Sequence, residues 1–150
     1  MKAKELMIGD LVYCTYWSQK RIVRVWELKR IADDELKVVV MDEVPLVFHE
    51  RYIEPISLTS ELMEKNGFWR VPQPLCTNPY HWMLEKYEEE SGELFYRIKA
   101  YDTPFRGMFV SIDNPSCCAT ISFGKQIEFI HELQHALRLC EINMEIKLED

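Results

Sequence analysis

The run Arg21-Ile22-Val23-Arg24-Val25-Trp26-Glu27-Leu28-Lys29-Arg30 decides the class of the N-terminal half. It is rich in β-branched and aromatic residues, which suit a pleated backbone. Its apolar positions, Ile22, Val23, Val25, Trp26 and Leu28, alternate imperfectly, the pattern of a strand interrupted by a β-bulge. Before it, Ser18-Gln19-Lys20 reads as the turn from an earlier strand, Leu11 to Trp17, which itself follows a Gly9-Asp10 turn. After it, Asp33-Asp34 turns the chain into a third strand, Leu36 to Met41; Pro45 to His49 makes a fourth, and Arg51 to Ile56 a short closing one. Strands this short and this closely spaced fit a small barrel over residues 1–57.

The Gly-Asp turn before the first strand and Ile53-Glu54-Pro55 at the last resemble SH3-like barrels, including those of the KOW type. Residues 58–79 read as a helix and a Pro-rich connector. Thr59 is an N-cap, Glu61 complements the first-turn dipole and Asn66-Gly67 ends the helix. Pro72, Pro74 and Pro79 then deny donors to any ladder, so an irregular stretch is expected. Residues 80–150 read as a β-meander plus one amphipathic helix. Strands His81–Glu89 and Glu93–Tyr101 flank a Glu90-Ser91-Gly92 turn, Phe105–Ile112 and Cys117–Phe123 follow, a helix runs from about Lys125 to Cys140, and Met144–Leu148 adds a final strand. The fold class is α+β.

With 47% hydrophobic residues the chain of 150 is globular in composition. It has no apolar run of the ~18 residues a membrane helix needs, and its first residues carry no hydrophobic signal region. The five cysteines, 14, 76, 117, 118 and 140, are odd in number and lack C-x-x-C spacing, which points to reduced thiols in a cytoplasmic protein. The net charge is −7, with 9 basic against 10 acidic residues through position 60 and 9 against 15 beyond it. Such a chain is a poor general ligand for phosphate backbones.

Residues His131-Glu132-Leu133-Gln134-His135 match H-E-x-x-H, in which two histidines one turn apart hold zinc and the glutamate acts on bound water. A zinc-dependent hydrolase would take Glu132 as base and His131, His135 and Glu141 as ligands. The metzincin layout needs a glycine three residues past the second histidine to turn the third ligand back, and that position holds Arg138. The layout with a glutamate on a later helix needs more than the fifteen residues left after His135. Glu128 replaces the small or aliphatic residue usual there. On a helical wheel Ile130, Leu133, Leu137 and Cys140 form the apolar stripe, flanked by Phe129 and Ala136. That rotation predicts imidazoles turned to solvent beside Glu128 and Glu132, and hence no catalytic residue, no metal and no cofactor.

Four segments resemble, in the same order and across nearly the whole chain, a family of small uncharacterised proteins encoded by intestinal anaerobes and their phages or mobile elements. They are Leu6-Met7-Ile8-Gly9-Asp10, Ile53-Glu54-Pro55-Ile56-Ser57-Leu58-Thr59, Leu62-Met63-Glu64-Lys65-Asn66-Gly67-Phe68 and Phe129-Ile130-His131-Glu132-Leu133-Gln134. The resemblance implies no activity, cofactor or catalytic residue. Members read Tyr-Val-His-Gln-Leu-Gln at the helix, so the resemblance marks His131 and Gln134 and implies a structural hydrogen bond there. Glu132 and His135 are departures of this chain.

Lys20, Arg21, Arg24, Lys29 and Arg30, with Tyr16, Trp17 and Trp26, form a basic and aromatic cluster of the kind through which small barrels bind nucleic acid. The competing reading is a solvated hairpin whose tryptophans fill the barrel core, which the acidic balance favours. Glu85, Glu88, Glu89, Glu90 and Glu93 crowd one hairpin, read as an acidic edge that discourages sheet-to-sheet pairing. Together these features lead to a non-enzymatic binding or adaptor protein of a phage or mobile element, meeting an unidentified protein partner through an aromatic-rich surface or a groove between its parts, without membrane. The alternatives are the zinc hydrolase and a nucleic-acid-binding small barrel.

Overall fold

A computed structural model describes residues 5–16, 19–32, 35–41, 45–72, 80–102, 108–115, 119–123 and 126–148. Trp17, Ser18, Asp33, Asp34, Pro74, Cys76, Pro79, Cys117 and Cys118 lie outside the described residues, as do the side chains of Tyr16 and Arg30. The chain is α+β, with two five-stranded antiparallel sheets and short helices, and divides into two compact units. One comprises residues 1–57 with 129–135, the other 58–128 with 136–150. Among the described residues, no helix is long and apolar enough to cross a membrane.

In the first unit the strands are β1 (Leu11–Tyr16), β2 (Gln19–Ala32), β3 (Glu35–Met41), β4 (Pro45–His49) and β5 (Ile53–Glu54), ordered β4-β3-β2-β1-β5. A 3-10 turn, Glu50–Tyr52, precedes β5. The core takes alternate residues from one face: Val12 and Cys14, Val23 and Val25, Val38 and Val40, then Phe48 and Ile53, with Leu6. The broken alternation of β2 has a local cause. Val25 pairs with Val40 and Glu27 with Val39, so Trp26 is the extra residue of a bulge. The bulge resets the parity, which lets Leu28 rejoin the core side while Trp26 stays 54% exposed. Trp26 therefore does not fill the core of this unit, the role expected of the hairpin tryptophans.

The second unit opens with α1 (Ser60–Lys65), whose N-cap Thr59 accepts a hydrogen bond from the Leu62 N–H at 3.3 Å. The helix ends in a Schellman pair, Phe68 N to Met63 O and Gly67 N to Glu64 O, both 3.0 Å, with Gly67 at φ +82°. Then come β6 (Trp69–Pro72), β7 (Tyr80–Tyr87), β8 (Leu94–Asp102), β9 (Met108–Asn114) and β10 (Ala119–Ser122), ordered β10-β9-β8-β7-β6. Trp82, Ile98, Ala100, Met108, Val110 and Ile112 are buried on one sheet face. Met63, Phe68, Ile127, Ala136, Leu137, Cys140, Ile142 and Ile146 are also buried in this unit.

Three expectations change here. The start of the Pro-rich connector is β6, tolerated because Pro72 lies at the end of an edge strand. The long helix begins at Ile130, not near Lys125, because Ile127 exchanges two 2.8 Å backbone hydrogen bonds with Met108 and Phe129 bridges Ser57. Residues 144–148 form no strand. That tail is held instead by Asn66, whose side chain donates to Lys147 O at 2.9 Å and accepts from Lys147 N at 2.8 Å.

Candidate functional site

The helix α2 (Ile130–Leu139) buries the apolar stripe read from its sequence, but its imidazoles are not turned to water. His131 is 4% exposed, and the His135 side chain, 24% exposed, sets Nε2 2.8 Å from the Oδ2 of Asp10, a residue with no exposed surface. The wheel misjudged this flank because it weighs only hydrophobicity, whereas a buried carboxylate draws an imidazole inward as a hydrogen-bond partner. Asp10 Oδ2 also accepts the Met7 N–H at 2.8 Å. Next to this pair, Gln134 Oε1 accepts the buried Leu11 N–H at 2.9 Å and its amide nitrogen lies 3.5 Å from Gly9 O. The Gly9-Asp10 turn, with Gly9 at φ +90°, is thus clasped by two consecutive side chains of α2. Asp10, 125 positions from His135, carried no signal of its partner in sequence.

The other motif residues also have local work. Glu132 Oε2 accepts the N–H of Phe129 at 3.3 Å, the carboxylate half of a capping box at the start of α2. Glu141 is the left-handed residue, φ +58°, of a Schellman stop: its N–H reaches Arg138 O at 3.0 Å and Ile142 N–H reaches Leu137 O at 2.9 Å. The helix therefore does stop without a glycine at 138. Glu141 belongs to the second unit, His131 and His135 to the first. The two rings meet edge to face, centroids 5.7 Å apart, and among the described residues no three His, Cys, Asp or Glu side chains are grouped to hold a metal.

The basic hairpin is engaged internally. Lys20 pairs with Glu54 at 2.6 Å and sits 4.2 Å over the Tyr13 ring, and its bond and charge hold the Glu54 carboxyl below its ordinary range. Arg24 donates to Gly9 O at 3.1 Å, Arg21 to Gln19 at 3.0 Å, and Lys29 lies 3.4 Å from Glu27. The Cys14 thiol is pushed up to about 11 by burial, which keeps it protonated and unreactive.

The second sheet holds the more telling surface. The strands of the acidic hairpin are inner ones, so the expected acidic edge is instead an acidic tip on two central strands; the edges are β6 and β10. Opposite the buried face, register aligns the outward residues in rows. Val71, His81, Tyr101 and Phe109 make one row, Trp69, Met83, Lys99 and Ser111 the next, then Glu85, Arg97 and Asp113. Tyr87 closes the far end; it pairs with Leu94, which leaves Phe95 as the extra residue of a bulge, its ring 5.6 Å from that of Tyr96. Three exposed aromatics of the described residues share this face: Trp69, Phe109 and Tyr87, between 41% and 49% exposed. Between the aromatic ends lies a closed set of charges. Arg97 Nε bonds Glu85 Oε1 at 2.5 Å, Lys99 meets Asp113 at 3.3 Å, and Tyr87 donates to Glu85 Oε2 at 2.9 Å. The Tyr87 hydroxyl first, then Arg97, holds the Glu85 carboxyl below its usual range. His81, buried and stacked on Tyr101 with centroids 5.2 Å apart, is disfavoured as a cation by desolvation and then by Lys99. The sequence signal was present as alternation, His81, Met83, Glu85, Tyr87 against Arg97, Lys99, Tyr101, once the hairpin register is known. Compared with known protein families, with functionally curated proteins and with solved structures, the chain finds no match.

Proposed function

We propose that the chain is a non-enzymatic binding or adaptor protein whose contact surface is the outer face of the second sheet. The gathering of Trp69, Tyr87 and Phe109 on that one face carries the reading. Single exposed apolar residues are ordinary, but aromatic side chains collected with Met and Arg have the composition of an interface core. A protein is the partner. The hairpin cations already hold Glu54, Gln19, Gly9 and Glu27, which leaves nucleic acid the weaker choice. The first unit is proposed as an SH3-like small barrel, supported by the strand order β4-β3-β2-β1-β5, the bulge in β2 and the 3-10 turn before β5. It serves a phage or mobile element in the cytoplasm, in keeping with the family resemblance and with the buried thiols of Cys14 and Cys140.

The test compares the wild type with the triple variant Trp69→Ala, Tyr87→Ala, Phe109→Ala as bait in extract of the cells that carry the gene. At least one component is expected to be retained by the wild type and reduced about tenfold or more on the variant. Equal retention of the same components by both baits refutes the assignment of this face.

A further inference from the structure

We propose that Asn66-Gly67 is a self-modification site and that the segment around Lys147 is its latch. Seated, that segment keeps Asn66 intact. Unseated, it lets Asn66 cyclise onto Gly67 and become aspartate or isoaspartate, after which Lys147 cannot return to its place.

The reactivity follows from the way α1 ends. Its stop needs a left-handed residue, and Gly67 at φ +82° supplies it. A glycine has no Cβ to shield its amide nitrogen, and Gly67 is exposed to water. That nitrogen is the nucleophile. It gives its proton to water and bonds to Asn66 Cγ, while ammonia leaves with the electron pair of the Cγ–Nδ2 bond and takes up a proton. Water then opens the five-membered ring. Cleavage between Cγ and the nitrogen gives aspartate, and cleavage at the main-chain carbonyl gives isoaspartate. The sum is amide plus water to acid plus ammonia, with no change of oxidation state. The other asparagines are poor substrates for this chemistry. Asn78 and Asn114 precede prolines, which lack the N–H, and Asn143 precedes Met144, whose side chain crowds the nitrogen.

The folded chain holds the two reacting groups apart. At ψ 16° Asn66 places Gly67 N beside its own nitrogen, whereas ring closure needs it beside Cβ. The Gly67 N–H is engaged by Glu64 O at 3.0 Å. The side-chain amide is held at both ends: Nδ2 donates to Leu62 O at 2.8 Å and to Lys147 O at 2.9 Å, and Oδ1 accepts the Lys147 N–H at 2.8 Å. Two of these three bonds come from Lys147, in a stretch, 143–148, without helix or strand. Such a segment opens by local fraying, well short of global unfolding. With Lys147 away, only the last turn of a six-residue helix still restrains the side chain. The step is one-way for the latch as well. A carboxylate only accepts hydrogen bonds, so aspartate would set an oxygen against Leu62 O and Lys147 O. Isoaspartate inserts Cβ into the main chain inside the stop of α1.

The test incubates the full chain, folded and in unfolding urea, in mildly alkaline buffer and follows conversion at each asparagine by peptide mass mapping. The unfolded chain is expected to convert Asn66 ahead of the other asparagines, and the folded chain at least about tenfold more slowly. Below the unfolding transition, Asn66 conversion and hydrogen exchange of the Lys147 N–H are expected to rise together with urea. Lys147→Pro, which removes the N–H donor, is expected to convert about fivefold faster than wild type, and Lys147→Ala, which keeps it, at the wild-type rate. Asn66→Asp, the product, is expected to exchange the Lys147 N–H about tenfold faster or more, with the amides of β7 to β9 as in wild type. Equal conversion of folded and unfolded chains overturns the inference, as do conversion and exchange that move independently. So do equal rates in the two Lys147 variants, or wild-type exchange at Lys147 in Asn66→Asp. Should Lys147→Pro also lose protection in β8, the urea series on unaltered protein decides.

Discussion

Replacing His135 by Ala separates a structural clasp from a metal ligand. Asp10 has no exposed surface, and its Oδ2 takes two partners, the Met7 N–H and His135 Nε2, both at 2.8 Å. Deleting the imidazole leaves a buried carboxylate with one of these partners gone. Hydrogen bonds to charged groups contribute roughly 1.5–3 kcal/mol, and a buried acceptor left short costs a similar amount. Because the His135 side chain retains 24% exposure, water can reach part of the vacated space, and we expect a loss of about 2 kcal/mol. Urea unfolding followed by tryptophan fluorescence reads this as a lower midpoint at unchanged slope. Asp10→Asn keeps an acceptor for Met7 while removing the charge, so the double variant is expected to be less destabilised than the two single effects added, by about 1 kcal/mol. Zinc at equimolar concentration is expected to leave the wild-type midpoint where it is. A His135→Ala midpoint equal to wild type, or a zinc-dependent rise abolished by that substitution, would refute the clasp and restore the metal reading.

Glu141→Gly is expected to stabilise the chain. A non-glycine residue at φ +58° carries a left-handed penalty of ~1–2 kcal/mol, partly offset by the greater freedom glycine has when unfolded, so a net gain of ~0.5–1 kcal/mol should appear as a higher urea midpoint. A lower midpoint would mean that the Glu141 side chain has a role the backbone does not reveal. Acid should weaken the second unit in a defined direction. Glu85 has a depressed folded pKa, so its stabilisation is complete above the ordinary glutamate value of ~4.3 and is lost as pH falls through the lower folded value. Thermal unfolding between about pH 6 and pH 3 should therefore show wild type losing more than Glu85→Gln, and parallel losses would contradict it.

What was legible in the sequence is local. Thr59, Asn66 and Gly67 mark the ends of α1 because caps are made within one turn, and Pro45–His49 emerges as a strand with the bounds its residues suggest. The irregular alternation in β2 announced a bulge, though not that Trp26 would be the residue turned outward. The start of α2 was misplaced because Phe129 and Ile127 are held by backbone partners at Ser57 and Met108, and such pairing leaves no trace near either end in sequence. The same limit hid the clasp: Gln134 and His135 look like polar residues of an amphipathic helix until Asp10 and Leu11 are placed beside them. The aromatic face was hidden for a subtler reason. Trp69, Tyr87 and Phe109 are ordinary strand residues one by one, and only the register shows that they share a side.

The composition of the first unit, residues 1–57 with 129–135, bears on how the protein is made. The five described strands of its sheet leave the ribosome before α2, yet Leu11 N–H and the Asp10 carboxylate wait for Gln134 and His135, 123 and 125 positions further on. A nascent chain that pauses after Ser57 would hold a sheet with an unfinished polar seam. The closing stitch therefore comes from α2, and a premature stop before residue 134 should harm the first sheet as well as what it deletes.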